Sequence, residues 1–229
     1  MPLAARPDEP APFRAAYRAA ISRFYSPRLH AGFVFGGGLA FITWQLRLAG
    51  HLGAAGTLSL LGGLLFFNTA VYVVHRSLGH RRRWFALLFY QRHTGDHHSF
   101  FLDHAMTWEE PRDFRVILFP PWLLVGVAAL AMGLGWLWAH LLGAGAGHGF
   151  TGAVVLGYLL YEAFHLCHHL PAGHPLTRVP LLREVGHLHR LHHRRSNMAG
   201  SNFDIVFPLT DLLLGTLYWE PIPPGDERR

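Results

Sequence analysis

The residues most able to do chemistry in this chain are its histidines, which are both numerous and concentrated. The chain has 18 histidines among 229 residues, and 14 of them lie in two windows, His75–His104 and His165–His193. Imidazole is a neutral nitrogen donor that suits zinc, iron, copper and nickel, so the residue type predicts a transition-metal site without naming its metal. The four histidines outside the windows are interpreted as interfacial or loop residues.

The two windows resolve into four clusters. They are HRSLGH from His75, HTGDHH from His93, HLCHH from His165 and HRLHH from His189. Residues three or four apart share a face of an α-helix, so His93 and His97 are predicted to point the same way, as are His165 and His169.

The last and the first cluster complete this pattern. The same helical spacing predicts one common direction for His189, His192 and His193. The five-residue spacing between His75 and His80 is looser, which suits a helix end that turns into a loop.

Ten histidines are the candidate metal ligands. They are His75, His80, His93, His97, His98, His165, His169, His189, His192 and His193. One metal takes at most about six ligands, so ten imidazoles imply two metals, or one metal with a large supporting set. A single cluster would fit surface decoration or a metal-buffering tract, whereas four clusters favour a buried site.

Supporting side chains are predicted around these ligands. The candidates are His168, Glu162, Asp96, Asp204 and Asp211. A carboxylate near the end of a membrane span is costly unless paired, and the far nitrogen of a ligand imidazole is the expected partner of Glu162. The single cysteine, Cys167, excludes an internal disulfide, and both a thiolate ligand and a small packing residue remain open for it.

The elements that must position these histidines are predicted from stretches without charge. No Asp, Glu, Lys or Arg occurs in residues 29–46, 48–75 or 116–161. A membrane helix needs roughly 20 mostly apolar residues, so the first two stretches predict one span each and the third predicts two. The expected spans are Leu29–Leu46, Gly53–Val74, Val116–Ala139 and Phe150–His165, with a Gly-rich link at Leu142–Gly149 between the last two. A soluble bundle of very apolar helices is the alternative.

The basic residues give the expected orientation. All 20 are arginine, and 19 fall on one side of the four-span arrangement, with only Arg47 opposite. Because Arg-rich short loops stay in the cytoplasm, both termini and the His-rich segments are expected there. The pI of about 10.1 then reflects a membrane-facing charge bias rather than nucleic-acid binding.

The fold class expected is therefore an all-α integral membrane protein, in which four transmembrane helices carry a cytoplasmic, helical, His-rich metal-binding cap. Residues 1–28 form a basic arm, either an interfacial helix or disordered, since Phe13, Tyr17, Ile21 and Phe24 recur at helical spacing. Residues 29–220 form the membrane domain. Residues 221–229 are expected to be a disordered tail.

The four clusters, in this order, resemble the fatty acid hydroxylase superfamily, which includes sterol desaturases and carotenoid hydroxylases. The resemblance runs from about Asn68 to Thr216 and includes the closing NFDIVFPLTDLLLGT from Asn202. It implies a membrane enzyme whose cytoplasmic dinuclear centre, with two iron ions, activates oxygen. Zinc is an expected substitute in recombinant material.

Two features depart from the family pattern. The second cluster normally has two residues between its first two histidines, and here three separate His93 from His97, which makes His93 the less secure ligand. His168 is an extra histidine in the third cluster, and it is either a supporting group or an alternative ligand to His169.

The function expected from these patterns is oxygen-dependent hydroxylation of a lipid C–H bond, with a membrane lipid as substrate and electrons from an external ferredoxin or reductase. Desaturation of a lipid or sterol, and metal binding without catalysis, are the alternatives. A transporter would need its histidines near the bilayer midplane, where the spans here are apolar. A metal-dependent hydrolase would need fewer ligands, and no Gly-x-Ser-x-Gly or Gly-rich phosphate loop is present.

Overall fold

The computed structural model describes residues 9–171 and 173–222, and these residues form helices and loops with no β-strand. Seven helices are labelled in chain order: α1 Pro10–Ala20, α2 Pro27–Ala49, α3 Gly53–Gly79, α4 residues 87–100, α5 Pro121–Leu142, α6 Ala144–His168 and α7 Pro180–His193. Shorter helical turns occupy Trp84–Ala86, Pro111–Asp113, Phe114–Ile117, Pro175–Arg178 and Leu209–Leu213. Most of the expected disordered tail, residues 223–229, lies outside the described residues, as do residues 1–8.

Four of these helices, α2, α3, α5 and α6, are long and apolar enough to cross a membrane. The prediction of an all-helical chain with four candidate spans is confirmed. The third span begins at Pro121 rather than at Val116, because consecutive prolines at 120 and 121 force the preceding residues out of helical geometry. Proline is favoured in the first turn of a helix, where its missing N–H costs nothing.

The chain packs as two compact units, each with its own core. The first, called here the span unit, comprises residues 26–70 and 119–163. The second, called here the histidine unit, comprises the described residues before 26, residues 71–118 and those after 163. Helices α3 and α6 each contribute residues to both units. All ten candidate ligands belong to the histidine unit.

Close helix packing in the span unit explains part of its glycine content. A Cβ atom on Gly135 of α5 would lie 2.8 Å from the Gly147 carbonyl oxygen, and one on Gly147 of α6 would lie 2.5 Å from that of Gly135. Small residues let membrane helices approach at this distance. The Gly-rich stretch predicted as a link is therefore the first part of α6, and the turn itself is Gly143, whose φ of 90° favours glycine.

The N-terminal arm contains a helix, α1, that packs within the histidine unit. Its Arg14 is 5% exposed and donates to the carbonyls of Phe100 at 2.9 Å and Ala105 at 2.6 Å. The guanidinium also pairs with Glu109 at 2.5 Å. Burial of an arginine is tolerated here because its donors are satisfied. A membrane-surface position for the arm stays a prediction.

A second arginine of the arm fixes the same helix. Arg18 binds both carboxylate oxygens of Asp113, at 2.8 and 2.7 Å. Burial alone would raise the pKa of Asp113, but the hydrogen bonds from Arg18 and from the backbone of Glu109 and Glu110 outweigh it and hold the pKa below its ordinary value. The apolar stripe is only partly used, since Tyr17 packs on Phe100 whereas Phe24 is 81% exposed.

The close approach of α5 and α6 gives a test of the span packing. Gly135→Ala should lower the thermal unfolding midpoint, because the added methyl collides with the Thr151 hydroxyl and the Gly147 carbonyl of α6, a cost of about 1–3 kcal/mol for overpacking. Gly133→Ala is the matched control on the same helix, since a Cβ there meets nothing within 4 Å. Melting of both variants in one detergent would measure the difference, and equal midpoints would contradict the packing.

Candidate metal centre

The structure brings all ten candidate histidines together. Two groups have ring nitrogens within 4.8 Å of one another: His75, His80, His93, His98 and His192 form the first group, and His97, His165, His169 and His189 form the second. The Nε2 atom of His193 lies 3.2 Å from Nε2 of His97 and 3.1 Å from that of His189, which places it with the second group. Nine of the ten side chains are buried, and His80 is half-buried.

Two π-helical turns, His75–Gly79 and Gln91–His97, determine which histidines share a group. In a π-helix the N–H of residue i+5 donates a hydrogen bond to the carbonyl of residue i. Here the N–H of His80 donates to the carbonyl of His75, and the N–H of His98 donates to that of His93. Residues five apart therefore point to the same place. The helix end expected here lies at Gly79, and the chain turns into a loop from His80 onwards.

The π-turn in the second cluster also determines that His93 and His97 belong to different groups. His93 joins His98 and His80 in the first group, at Nε2 distances of 3.0 and 3.1 Å, and His97 belongs to the second group. The extra residue that made His93 look less secure is the one that the wider turn accommodates. A Cβ on Gly79 would lie 2.9 Å from the His93 ring, so glycine permits this approach.

The α-helical clusters divide differently. His165 and His169 of α6, four residues apart, lie in the second group, in keeping with their helical spacing. On α7, His189 lies in the second group and His192 in the first, so this cluster is divided between the two groups. Helix α7 runs beside both groups, and its three histidines are shared between them.

Hydrogen bonds to backbone carbonyls fix the ring orientation of five candidate ligands. The Nδ1 atoms donate to carbonyl oxygens as follows: His75 to Phe203 at 2.6 Å, His97 to Val116 at 3.2 Å, His169 to Met106 at 2.7 Å, His192 to Ser201 at 2.8 Å and His193 to Phe101 at 2.8 Å. Since a carbonyl only accepts, Nδ1 must carry the hydrogen, and Nε2 is left with a bare lone pair.

These tautomers make the cluster unfavourable without a cation. His97 and His193 both have a protonated Nδ1, yet their Nε2 atoms face each other at 3.2 Å. Two buried lone pairs at that distance repel, and no proton lies between neutral rings to bridge them. A metal ion that accepts both lone pairs removes the conflict, so these residues fit a metal centre.

The protonation states agree with this arrangement. Burial, followed by the neighbouring imidazoles, lowers the pKa of six candidate ligands outside the candidate spans: His93, His97, His98, His169, His189 and His192. The neutral ring is the form that binds a metal. The centre is therefore held in its metal-binding state at neutral pH.

The candidate carboxylates act at a distance from the rings. Glu162 is fully buried and accepts the Phe119 N–H at 3.1 Å, a backbone amide in place of the expected imidazole. Asp96 accepts from Gln91 at 2.9 Å. Asp204 accepts the Asp211 N–H at 3.0 Å, and Asp211 in turn accepts the Asp204 N–H at 2.7 Å.

The reciprocal pair of aspartates stabilises the loop that orients two ligands. This loop contributes the Ser201 and Phe203 carbonyls that hold His192 and His75. Sequence reasoning placed the aspartates near the site but missed the carbonyls, because every residue has one and no side-chain pattern marks them. The available signal was the pair of acids themselves, which stand within a run of apolar residues.

His168 and Cys167 fall outside both groups within the described residues. The His168 ring lies 5.1 Å from that of His189, and both of its ring nitrogens are buried without a hydrogen-bond partner in the described part of the chain. His168 is thus placed as a neighbour of the second group rather than as a replacement for His169. Cys167 is half-buried, in keeping with a packing role.

The two groups predict two separable metal ions. Purified protein should carry close to two transition-metal ions per chain, and His93→Ala/His98→Ala should remove about one of them because it empties two positions of the first group. His165→Ala/His169→Ala should do the same for the second. Elemental analysis of the purified variants measures both.

The matched control for these variants is His104→Ala/His140→Ala, which removes two histidines outside the groups and should leave the metal content unchanged. Full loading in both double variants would show that the clustered imidazoles are not the ligands.

The chain is similar to a known protein family in sequence and to a solved structure in fold. A family model described as fatty acid hydroxylase matches residues 60–216, which include every candidate ligand. No curated protein matches significantly by sequence. A solved structure titled full-length Scs7p, with only the hydroxylase domain visible, is similar in fold, with a TM-score of 0.61 and 20% sequence identity. The similarity covers 86% of this chain and 70% of that one. The chain belongs to the fatty acid hydroxylase family.

Proposed function

We propose that the protein is a membrane-bound dinuclear-metal oxygenase that hydroxylates a C–H bond of a lipid. The observation that carries the proposal is the pair of buried imidazole groups whose bare Nε2 lone pairs face one another. The family implies an oxidoreductase, and the His groups are compatible with a membrane metal oxygenase. The four apolar helices support a membrane lipid as the substrate class.

Two iron ions are the proposed cofactor. The two groups offer nitrogen donors without a carboxylate, and imidazole suits iron as well as zinc. Zinc in recombinant material would follow from the affinity order of divalent metals, which places zinc above iron. The bound metal pair supplies oxygen activation and C–H oxidation, which side chains alone do not perform.

The residues of the chain contribute positioning and exclusion of water. Hydrogen bonds that the imidazole Nδ1–H groups donate to the carbonyls of Ser201, Phe203 and Met106 hold the ring planes, so the nitrogen lone pairs stay aimed inward. Burial of the rings keeps bulk water from the reacting centre. Hydroxylation inserts one oxygen atom of O₂ into the C–H bond and reduces the other to water with two electrons and two protons. We propose that an external ferredoxin or reductase supplies the electrons.

Isotope labelling tests the reaction. Protein reconstituted in lipid with iron, reductant and an electron carrier should incorporate label from ¹⁸O₂ into a lipid product, detected by mass spectrometry. The variant His165→Ala/His169→Ala should lose this activity by at least about 100-fold, because it removes two ligands of one ion. His104→Ala is the control that should retain it.

The outcome also separates the alternatives. A product two hydrogens lighter and without label would mean desaturation, which shares the first hydrogen abstraction. If both ions are bound and no lipid class stimulates oxygen consumption, the protein is a metal-binding membrane protein without this activity.

The proposed orientation has both termini and the metal centre in the cytoplasm. It is supported by the arginines, of which only Arg47, in the last turn of α2, falls on the opposite side of the four-span arrangement. Reporters fused after Arg83 and after His193 should both report the cytoplasm, whereas one inserted at Gly50 should report the opposite side. A reversed pattern at any of the three positions would overturn the orientation.

A further inference from the structure

A run of exposed apolar residues lies outside the four candidate spans. Residues 207–219, called here the leucine loop, include Leu212 at 62% exposure, Leu213 at 73%, Leu214 at 58% and Trp219 at 57%. Its one charged residue, Asp211, is completely buried. The loop therefore presents large apolar side chains to its surroundings and no charge, which is unusual for a surface in contact with water.

The leucine loop is tied to the end of a membrane-crossing helix. The Thr216 hydroxyl donates to the hydroxyl of Tyr72 at 3.2 Å, and Tyr72 belongs to α3. Just before the loop, the Phe203 ring packs edge-on against Tyr72 with ring centroids 5.5 Å apart. These contacts hold the loop at the level of the last two turns of α3.

The position of the membrane boundary on α3 follows from its charges. Arg76 is the first charged residue after Arg47, and its guanidinium binds the Tyr72 hydroxyl at 2.6 Å and lies over the Phe203 ring. Arginine near the end of a span sits where acyl chains give way to head groups. Contacts with Tyr72 and Arg76 therefore place the leucine loop at that boundary.

We propose that the leucine loop lies at this boundary of the bilayer with its leucines inserted among the acyl chains, as a lipid-contacting surface additional to the four spans. Three consecutive exposed leucines, followed by Tyr218 and Trp219, match segments that lie in the interface plane. The absence of exposed charge favours lipid over a polar protein partner as the occupant. The inference depends on the α3 contacts and not on the oxygenase assignment.

The same loop region reaches the metal centre. The Ser201 and Phe203 carbonyls, which orient His192 and His75, precede the leucine loop by a few residues, and the Asp204–Asp211 pair joins the two parts. A lipid chain that packs on the leucine loop is thus in contact with the segment that holds two candidate ligands.

Spin labelling in lipid nanodiscs tests the proposal. Leu213→Cys, on a Cys167→Ala background with wild-type metal content, would carry a nitroxide whose collisions with O₂ and with a water-soluble nickel chelate are compared. Oxygen should dominate at this position, as at the lipid-facing control Leu137→Cys in α5. The nickel chelate should dominate at Ser196→Cys, an exposed polar site outside the spans.

Two results would overturn the proposal. Dominance of the nickel chelate at Leu213→Cys would show that the loop is in water. Low accessibility to both reagents would show that protein covers the leucine loop, and a second copy of the chain is one such covering protein. Neither result depends on catalytic turnover, so the outcome is independent of the proposed oxygenase activity.

Discussion

The hydrogen bond from an imidazole Nδ1 to a backbone carbonyl is the interaction on which the centre depends. Five such bonds select one tautomer and one ring plane for their histidines, and all direct Nε2 inward. A carbonyl can orient a ring only if its own segment is rigid. Much of the histidine unit can be understood as the means of holding those loop carbonyls in place.

Two sets of polar contacts hold the segments that carry these carbonyls. The Asp204–Asp211 pair fixes the loop after α7, which serves His192 and His75. Arg14 of the N-terminal arm binds the carbonyls of Phe100 and Ala105, each one residue before a carbonyl that orients a ligand, those of Phe101 and Met106. The arm, which touches no candidate ligand in these contacts, thereby supports the orientation of His193 and His169.

The sequence predicted the parts of this structure that depend on local patterns. Stretches without charge located the four candidate spans, and the four-residue spacing of His165 and His169 placed both in one group. Prediction from the sequence failed where the backbone departs from α-helical geometry. The π-turns at His75 and Gln91 change the periodicity from four to five, and no local propensity distinguishes such a turn before tertiary contacts form. Carbonyl partners were likewise invisible, and the role of Arg14 could not be predicted because its acceptors lie far along the chain.

The long separation between these partners has a consequence for biosynthesis. Arg14 leaves the ribosome 86 residues before Phe100, and His75 leaves it 128 residues before Phe203. Domains are completed as their last segments are translated. The first histidine cluster must therefore wait, without the Phe203 carbonyl that orients His75, until α7 and the loop after it have been made. During that interval the nascent chain exposes unassembled metal-binding side chains, so premature metal capture and failed assembly are hazards of translation.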